Sequence, residues 1–377
     1  MSLEFQGSIK PTLGVEIELQ LLSSESLDLT PQGKLILDIC KKTNESRIKS
    51  EIHQSMVEVD TEISENVKEC KIHLQKRMLW LNHIVEEHKL QVSITGTHPF
   101  QNWEDRIFSD SKRYQSLHEK FQWLARRMNV YGMHVHIGVS SGDRVLSICR
   151  GMIEYLPHLL ALTANSPYWH GIDTGMQSCR VNILDAFPYS GIPPYIPNWV
   201  EFEHYYNILL KVGAINSFKD LYWYVRPNLL FGTVEVRVCD AMTKLEESMA
   251  VVALIQCLVA KINQELDSSS QRKWTREQDW IAPENQWIAS RDGLEGMIIV
   301  DVLGKRQKIS DCILDLIQLL SPIAKALQCL EELHFLKEII KNGNGAQRQR
   351  KVFQKTGSIK EVVAAARREF ISSLQEE

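Results

Sequence analysis

The stretch Gly132-Met133-His134-Val135-His136-Ile137-Gly138-Val139 lies in the middle of the chain and alternates along its whole length. Met133, Val135, Ile137 and Val139 fall at one parity, and His134, His136 and Gly138 at the other. Successive side chains on a strand point to opposite faces, so this pattern predicts a strand with one buried apolar face and a second face carrying two imidazoles. Two imidazoles on one strand face suggest a ligand. Taken alone they suit a zinc-bound water as well as any other metal chemistry.

Three further stretches repeat the design with acids. In Thr12–Leu21, Val15, Ile17 and Leu19 alternate with Glu16 and Glu18. In Lys49–Thr61, Val57 and Val59 alternate with Glu58 and Asp60. In Gly232–Asp240, Val234, Val236 and Val238 alternate with Glu235 and Arg237. A merely wet sheet face would mix Lys, Thr, Ser and Gln, whereas these faces carry mostly Glu, His and Arg. Carboxylates two apart on a strand point the same way and repel unless solvent, arginine or a cation lies between them. Glu51 is seven residues before Glu58, an odd offset, so one regular strand would put them on opposite faces. A bulge or bend is expected if both serve one site.

Helical spacing of apolar residues predicts helices over Leu35–Lys42, Asn66–Lys89, Tyr114–Met128, Arg144–Ala164, Trp199–Val212, Lys244–Leu266, Ser310–Leu333 and Ser358–Ser373. Pro157 is expected to kink or split the fourth, Asp267–Gln271 to end the sixth, and Asn342-Gly343-Asn344-Gly345 to link the last two. Gln91–Thr97 and Leu221–Pro227 read as additional strands. Asn165–Trp199, rich in Pro and Gly, reads as a long irregular segment of the lid or binding-loop kind, with Arg180 as its obvious cation.

The chain has 377 residues, 44% of them hydrophobic, enough to bury a large core. It shows no internal repeat, low-complexity tract or clear linker, so a single catalytic domain over residues 1–377 is expected. A formal charge of −4 gives no basic excess for nucleic acid. No apolar run approaches the roughly 20 residues that span a bilayer, and no membrane partner is expected. Eight scattered cysteines without a CxxC pair read as reduced thiols. Residues 1–10 lack a basic start followed by an apolar core, so the cytoplasm is the expected compartment.

Glu16, Glu18, Glu51, Glu58 and Glu235 with His134 and His136 make an oxygen-rich donor set with a minority of imidazole. Such a set suits Mg²⁺ or Mn²⁺, whereas catalytic zinc usually takes more His or Cys. Carboxylate-bound Mg²⁺ keeps positions open for phosphate oxygens, and Arg226 and Arg237 could neutralise charge on a transferred phosphoryl group. ATP is therefore the expected cofactor. The chain contains neither GxxxxGK[ST] nor a GxGxxG that opens a helix after a strand, so metals and arginines would have to hold it.

Gly14-Val-Glu-Ile-Glu18, Gly96-Thr-His-Pro-Phe100, Gly132–Gly138, Ser166-Pro-Tyr-Trp169 and Gly232–Val238 occur in this order along the chain. Together they resemble the bacterial carboxylate-amine ligases of the glutamate-cysteine ligase type 2 family. Glu284-Asn285-Gln286-Trp287 with Arg291, and Gly345–Arg350, extend the resemblance over nearly the whole chain. It implies a glutamine synthetase-like α+β fold, a curved and mostly antiparallel sheet with helices packed behind it. It also implies that ATP phosphorylates the side-chain carboxylate of glutamate and that an amine, cysteine in the family's name, displaces the phosphate. Carried over by motif, Glu18, Glu51 and Glu58 would bind one metal, and Glu16, His134 and Glu235 the metal nearer the nucleotide. His136 would approach ATP, with Arg180 and Arg291 as further cofactor-binding candidates. Arg237, Glu235 and Arg226 would serve catalysis, and a homo-oligomer is expected. The rival readings are a metal-dependent hydrolase built on the His-x-His strand and a non-catalytic nucleotide- or metal-binding relative.

Overall fold

The computed structural model describes residues 3–268 and 277–375. Its centre is β1 (Leu13–Ser23), flanked by the strands that the alternating stretches predicted. Along the chain come β2 (Ile48–Ser50), β3 (Met56–Asp60), β4 (Leu90–Ser93) and β5 (Met133–Gly138). Two small pairs, β6 (Tyr168–Trp169) with β7 (Ile172–Asp173) and β8 (Ser190–Gly191) with β9 (Tyr222–Trp223), lie outside the main sheet. β10 (Val225–Asn228) and β11 (Thr233–Val236) complete that sheet, and β12 (Met297–Ile299) pairs with β13 (Arg306–Lys308).

The main sheet runs β10-β11-β5-β1-β3-β2, and β4 also pairs with β1. Every neighbouring pair in it is antiparallel. One edge of β1 pairs with β3; on the other, β5 takes the Leu13–Ile17 half and β4 the Gln20–Ser23 end. Val15, Ile17, Leu19, Val57, Val59, Met133, Val135 and Ile137 are fully buried on the face away from the acids. Burying an aliphatic side chain contributes roughly 1.5–3 kcal/mol. A one-residue slip of β1 would expose these and thrust Glu16 and Glu18 into the core, so the apolar face locks the register.

Helices cover that apolar face. α1 (Gly33–Thr43) and α2 (Val67–Glu87) match their expected spans, with the Asn66 side chain accepting the Glu69 N–H at the start of α2. The expected Tyr114–Met128 helix is instead α3 (Lys112–Phe121) and α4 (Trp123–Arg126), broken where Gln122 takes φ 47°. Arg144–Ala164 divides into α5 (Gly142–Met152) and α6 (Leu156–Thr163) through a 3₁₀ turn. The break precedes Pro157, which sits in the first turn of α6, where its missing N–H leaves no bond unmade. Contrary to the sequence reading, the whole run Gly142–Thr163 is long and apolar enough to cross a bilayer, but 78% of its most apolar window is buried inside the protein.

α7 (Cys179–Leu184) and α8 (Trp199–Lys211) follow. The Asn165–Trp199 segment is thus not wholly irregular: β6, β7, α7 and β8 lie within it, and Asn165, Ser166, Ser178 and Arg180 are buried. α9 (Leu245–Asp267) is buried without interruption from Leu245 to Val259 apart from Glu246, and packs against α2, α5, α11 (Ile309–Ala326) and α12 (Leu330–Asn342). Past Ser268 the expected break runs outside the described residues. α10 (Gln278–Asp292) is an unforeseen helix, because polar residues and Pro283 blur its apolar stripe. The expected Ser310–Leu333 helix divides between α11 and α12 near Gln328, at φ 57°. Asn344 then caps α13 (Gly345–Thr356), and α14 (Ile359–Ser373) closes the fold. One hydrophobic cluster extends from Leu13 to Leu374, and all eight cysteines are free and buried.

Candidate functional site

Cross-strand partners on a sheet share a face, so the register assembles the site. Glu16 lies opposite His134 on β5 and Asp60 on β3, and Glu18 lies opposite Glu58. Glu235 lies opposite both His136 on β5 and Arg226 on β10. Lys49 on β2 faces Glu58, so Glu51, two residues on, falls on the same side as Glu58 despite the odd offset. The reversal between β2 and β3 therefore does what a bulge was expected to do. These side chains line or underlie a cleft of about 240 Å³ whose wall also includes Arg113, Tyr114, Arg180, Tyr224 and Arg237.

Three groups of side chains bring ligand atoms within 4.8 Å of one another: Glu16 with His136 and Glu235, Glu16 with Glu58 and His134, and Glu18 with Glu51 and Glu58. The last is the trio carried over by motif. The imidazoles differ from expectation: His136 joins Glu235, its cross-strand partner, while His134 joins Glu58 through the shared Glu16. His136 is 4% exposed and lies beneath the cleft rather than on its wall. It turns Nδ1 to the Thr233 hydroxyl at 3.0 Å and Nε2 toward Glu16 Oε1 at 3.4 Å. His134 Nδ1 lies 3.2 Å from Glu16 Oε2. Five carboxylates with two imidazoles fit hard, oxygen-preferring divalent cations.

The two ends of the site have opposite electrostatics. Glu235 takes a two-pronged contact from Arg226, Nε to Oε2 at 2.9 Å and Nη2 to Oε1 at 3.0 Å. Asn228 Nδ2 donates to Oε2 at 3.0 Å, and Arg237 pairs with Oε1. Burial works to raise this carboxyl, but the two guanidinium groups outweigh it and hold it well below the usual carboxylate range. Glu16 is likewise held well below that range, because the His136 and His134 imidazoles overcome its burial. At the other end, burial and then the Glu16 and Glu51 charges push Glu58 well above it. Burial and the Glu18 charge push Glu51 up to about 7. Tyr114 donates to Glu51 Oε2 at 3.3 Å, and the only cation in contact with Glu58 and Asp60 is Lys49, among the described residues. His134 is pushed down to about 4 by burial and the nearby Arg237 charge, so it is a neutral donor at neutral pH.

Arg226 is 5% exposed and also donates from Nη1 to the Leu221 carbonyl at 2.7 Å, fixing the turn before β9. Arg237 lines the cleft beside His134. Arg180 crosses over Gly132, where an added Cβ would collide with its guanidinium. Its guanidinium donates to the Val238 and Arg237 carbonyls, and its backbone N–H to Ser166 Oγ. Ser166 and Ser178 in turn donate to buried Asp240, which anchors α7. Arg291 does not line the cleft; it pairs with its neighbour Asp292 and lies over Trp287. The Gly345–Arg350 motif is also elsewhere, where Gln349 donates to Asn165 and Arg350 to Asp173. Sequence reasoning missed Lys49, Arg113, Tyr114, Asn228 and Tyr224, none of which stands out before the strands are paired; Asp60 was visible on its acidic strand but not assigned.

A model of the glutamate-cysteine ligase family 2 matches residues 12–365. The chain belongs to that family. The ligase is 38% identical over 374 residues to a protein of Thermobifida fusca provisionally named glutamate–cysteine ligase 2, an alignment covering 98% of this chain and 93% of the relative. A Gloeobacter violaceus protein with the same provisional name is 36% identical over 366 residues, covering 97% and 98% of the two chains. Among solved structures, the Francisella tularensis glutamate–cysteine ligase in complex with AMP superposes with a TM-score of 0.69 at 14% identity, covering 99% of this ligase and 91% of that chain. That likeness is one of fold, and it bears out the glutamine synthetase-like α+β architecture. The chain is an enzyme of the glutamate–cysteine ligase type.

Proposed function

We propose that this ligase uses ATP to activate the side-chain carboxylate of glutamate as an acyl phosphate and transfers the acyl group to an amine, with cysteine as the first amine to test. The carrying observation is the division of the cleft. Three oxygen-rich candidate ligand groups run along it, and at one end Arg226 and Arg237 converge on Glu235, a member of one of them. Divalent cations bound there would bridge phosphate oxygens and neutralise their charge. Arg237, at the cleft wall, is placed to neutralise charge on the phosphoryl group in transfer. Arg226, fully engaged with Glu235, is placed to hold that carboxylate in position.

The names and AMP complex of the relatives support the reading, as does the family match. The hydrolase alternative suits the donor set less well, because five carboxylates surround the two imidazoles. ADP and phosphate should appear only when glutamate, an amine and Mg²⁺ or Mn²⁺ are all supplied, with the amine found by screening. Amide hydrolysis without ATP would overturn the proposal. Glu235→Gln should lower ATP turnover by about 100-fold or more, since it removes charge at the reacting centre. Unchanged turnover would show that the site is misplaced.

A further inference from the structure

The proposed reaction leaves one proton without an acceptor. An amino-acid amine is an ammonium at neutral pH and attacks only after losing a proton. Among the described residues lining the cleft, every carboxylate (Glu16, Glu18, Glu51, Glu58 and Glu235) belongs to a cation-ligand group. The charged lining groups besides these are lysines and arginines, and His134, a neutral imidazole, is in a ligand group too.

Tyr224 offers a way out. It lines the cleft, is 3% exposed, and its hydroxyl donates to Asp185 Oδ2 at 2.5 Å. Its main chain is fixed on both sides: the N–H donates to the Gly191 carbonyl at 2.8 Å, and its carbonyl accepts the Arg237 N–H at 2.7 Å. Asp185, just past the end of α7, is solvent-exposed as a residue. Gly191, at φ 82°, lets the chain turn close to it, with Asp185 Oδ1 3.3 Å from where a Cβ would stand. Burial of the carboxyl pushes it up to about 6, with hydrogen bonds from Tyr224 and Ser190 opposing and no cation among the groups acting on it. It is thus a carboxylate joined through one hydroxyl to a residue that lines the cleft, and it belongs to none of the candidate cation-ligand groups.

Resting on the ligase reading, we propose that Tyr224 and Asp185 form the proton exit for the attacking amine. An N–H bond of the bound ammonium breaks as its proton joins the Tyr224 oxygen. The phenol's own proton moves to Asp185, which becomes a neutral acid, so the tyrosine is neutral before and after. The freed lone pair forms the C–N bond at the acyl phosphate carbon, and the C–O bond to phosphate breaks with its electron pair leaving on phosphate. The second nitrogen proton departs with the phosphate, and Asp185 returns its proton to solvent. Tyr224 touches the amine; Asp185 acts through it. The exit serves amines that arrive protonated.

The test uses the full chain with ATP, Mg²⁺ and glutamate, and compares cysteine with hydroxylamine, a nucleophile already unprotonated at neutral pH. Asp185→Asn and Tyr224→Phe should each slow amide formation with cysteine on the order of 100-fold, the usual scale of acid–base assistance, while hydroxylamine restores turnover to within about threefold of wild type. Equal losses with both nucleophiles would assign the pair a merely structural role and overturn the proposal, as would no loss with either. Wild-type protein that releases no ADP with either nucleophile would instead fail at the ligase reading, and the exit would fall with it. If wild type is active with hydroxylamine but not cysteine, the protonated amine that the screen identifies takes the place of cysteine; selective loss with that amine supports the exit, and equal losses or none overturn it.

Discussion

Glu235 and Glu51 sit on the same side of one sheet and meet opposite fates. Glu235, on β11, is 1% exposed and wrapped by Arg226, Asn228 and Arg237, so it stays ionised in the interior. Glu51, beyond β2, meets Glu18 and Glu58, and its carboxyl is pushed up to about 7 by burial and the Glu18 charge. The residue type is the same; the neighbouring strand decides. β10 brings a guanidinium and an amide beside Glu235, whereas β1 brings Glu16 and Glu18 toward Glu58 and Glu51. At one end arginines offset the buried charge within the fold, and at the other the acids raise one another, an arrangement that a bound cation would relieve.

Breaking the arginine-balanced end should cost most. Arg226→Met leaves the buried Glu235 short of its two-pronged partner and should destabilise the protein by about 3–5 kcal/mol, read from urea unfolding. A loss below about 1 kcal/mol would mean that Arg237 and Asn228 satisfy Glu235 without it.

The acidic end should respond in the opposite sense. Glu51→Gln should stabilise the cation-free protein by about 1 kcal/mol at pH 8 and raise the Mg²⁺ concentration needed for turnover. The sign follows from proton binding: folded Glu51 keeps its proton up to about pH 7, whereas the unfolded chain releases it near the ordinary glutamate value of 4.5. Its contribution to stability therefore falls as pH rises through that window and stays low above it. Cation binding must displace that proton, so the gain in melting temperature on adding Mg²⁺ should be larger at pH 8 than at pH 6. Calorimetry with Mg²⁺ and with chelator at both pH values checks this, because the other buried histidines and acids contribute to both arms. A gain that does not change with pH would remove Glu51 from the cation site.

Two smaller effects sharpen the contrast. Gly132→Ala sets a methyl group against Arg180 and should cost about 1–3 kcal/mol, with a raised KM for substrate as the guanidinium shifts. An unaltered KM would place Arg180 outside substrate binding. Lys49→Gln removes the cation paired with Glu58 and Asp60, whose side chain is 44% exposed. The stability loss should be at most about 1 kcal/mol, while Mn²⁺ should bind more tightly, a change that isothermal titration resolves.

The candidate cation-ligand side chains were legible before any strand was paired. Alternation of Glu16, Glu18, Glu58, His134, His136 and Glu235 with aliphatic residues marked both the strands and their polar faces. Arg291 was not legible: its place within a matching motif drew it toward the cleft, and the structure leaves it on α10 beside Asp292. Nor were Lys49, Asn228 or the Tyr224–Asp185 pair, whose significance depends on partners brought from other strands and turns. α10 was missed because its burial comes from packing against α6 rather than from a clean apolar stripe.

What the sequence determined by itself is which side chains share a face, because a strand's two-residue period is a local property of the backbone. Tertiary structure alone decided which acid meets an arginine, which meets another acid, and how the two histidines divide among the ligand groups. Those outcomes depend on strand order and register, and a buried carboxyl takes its charge from neighbours a few ångströms away across the sheet rather than from neighbours along the chain.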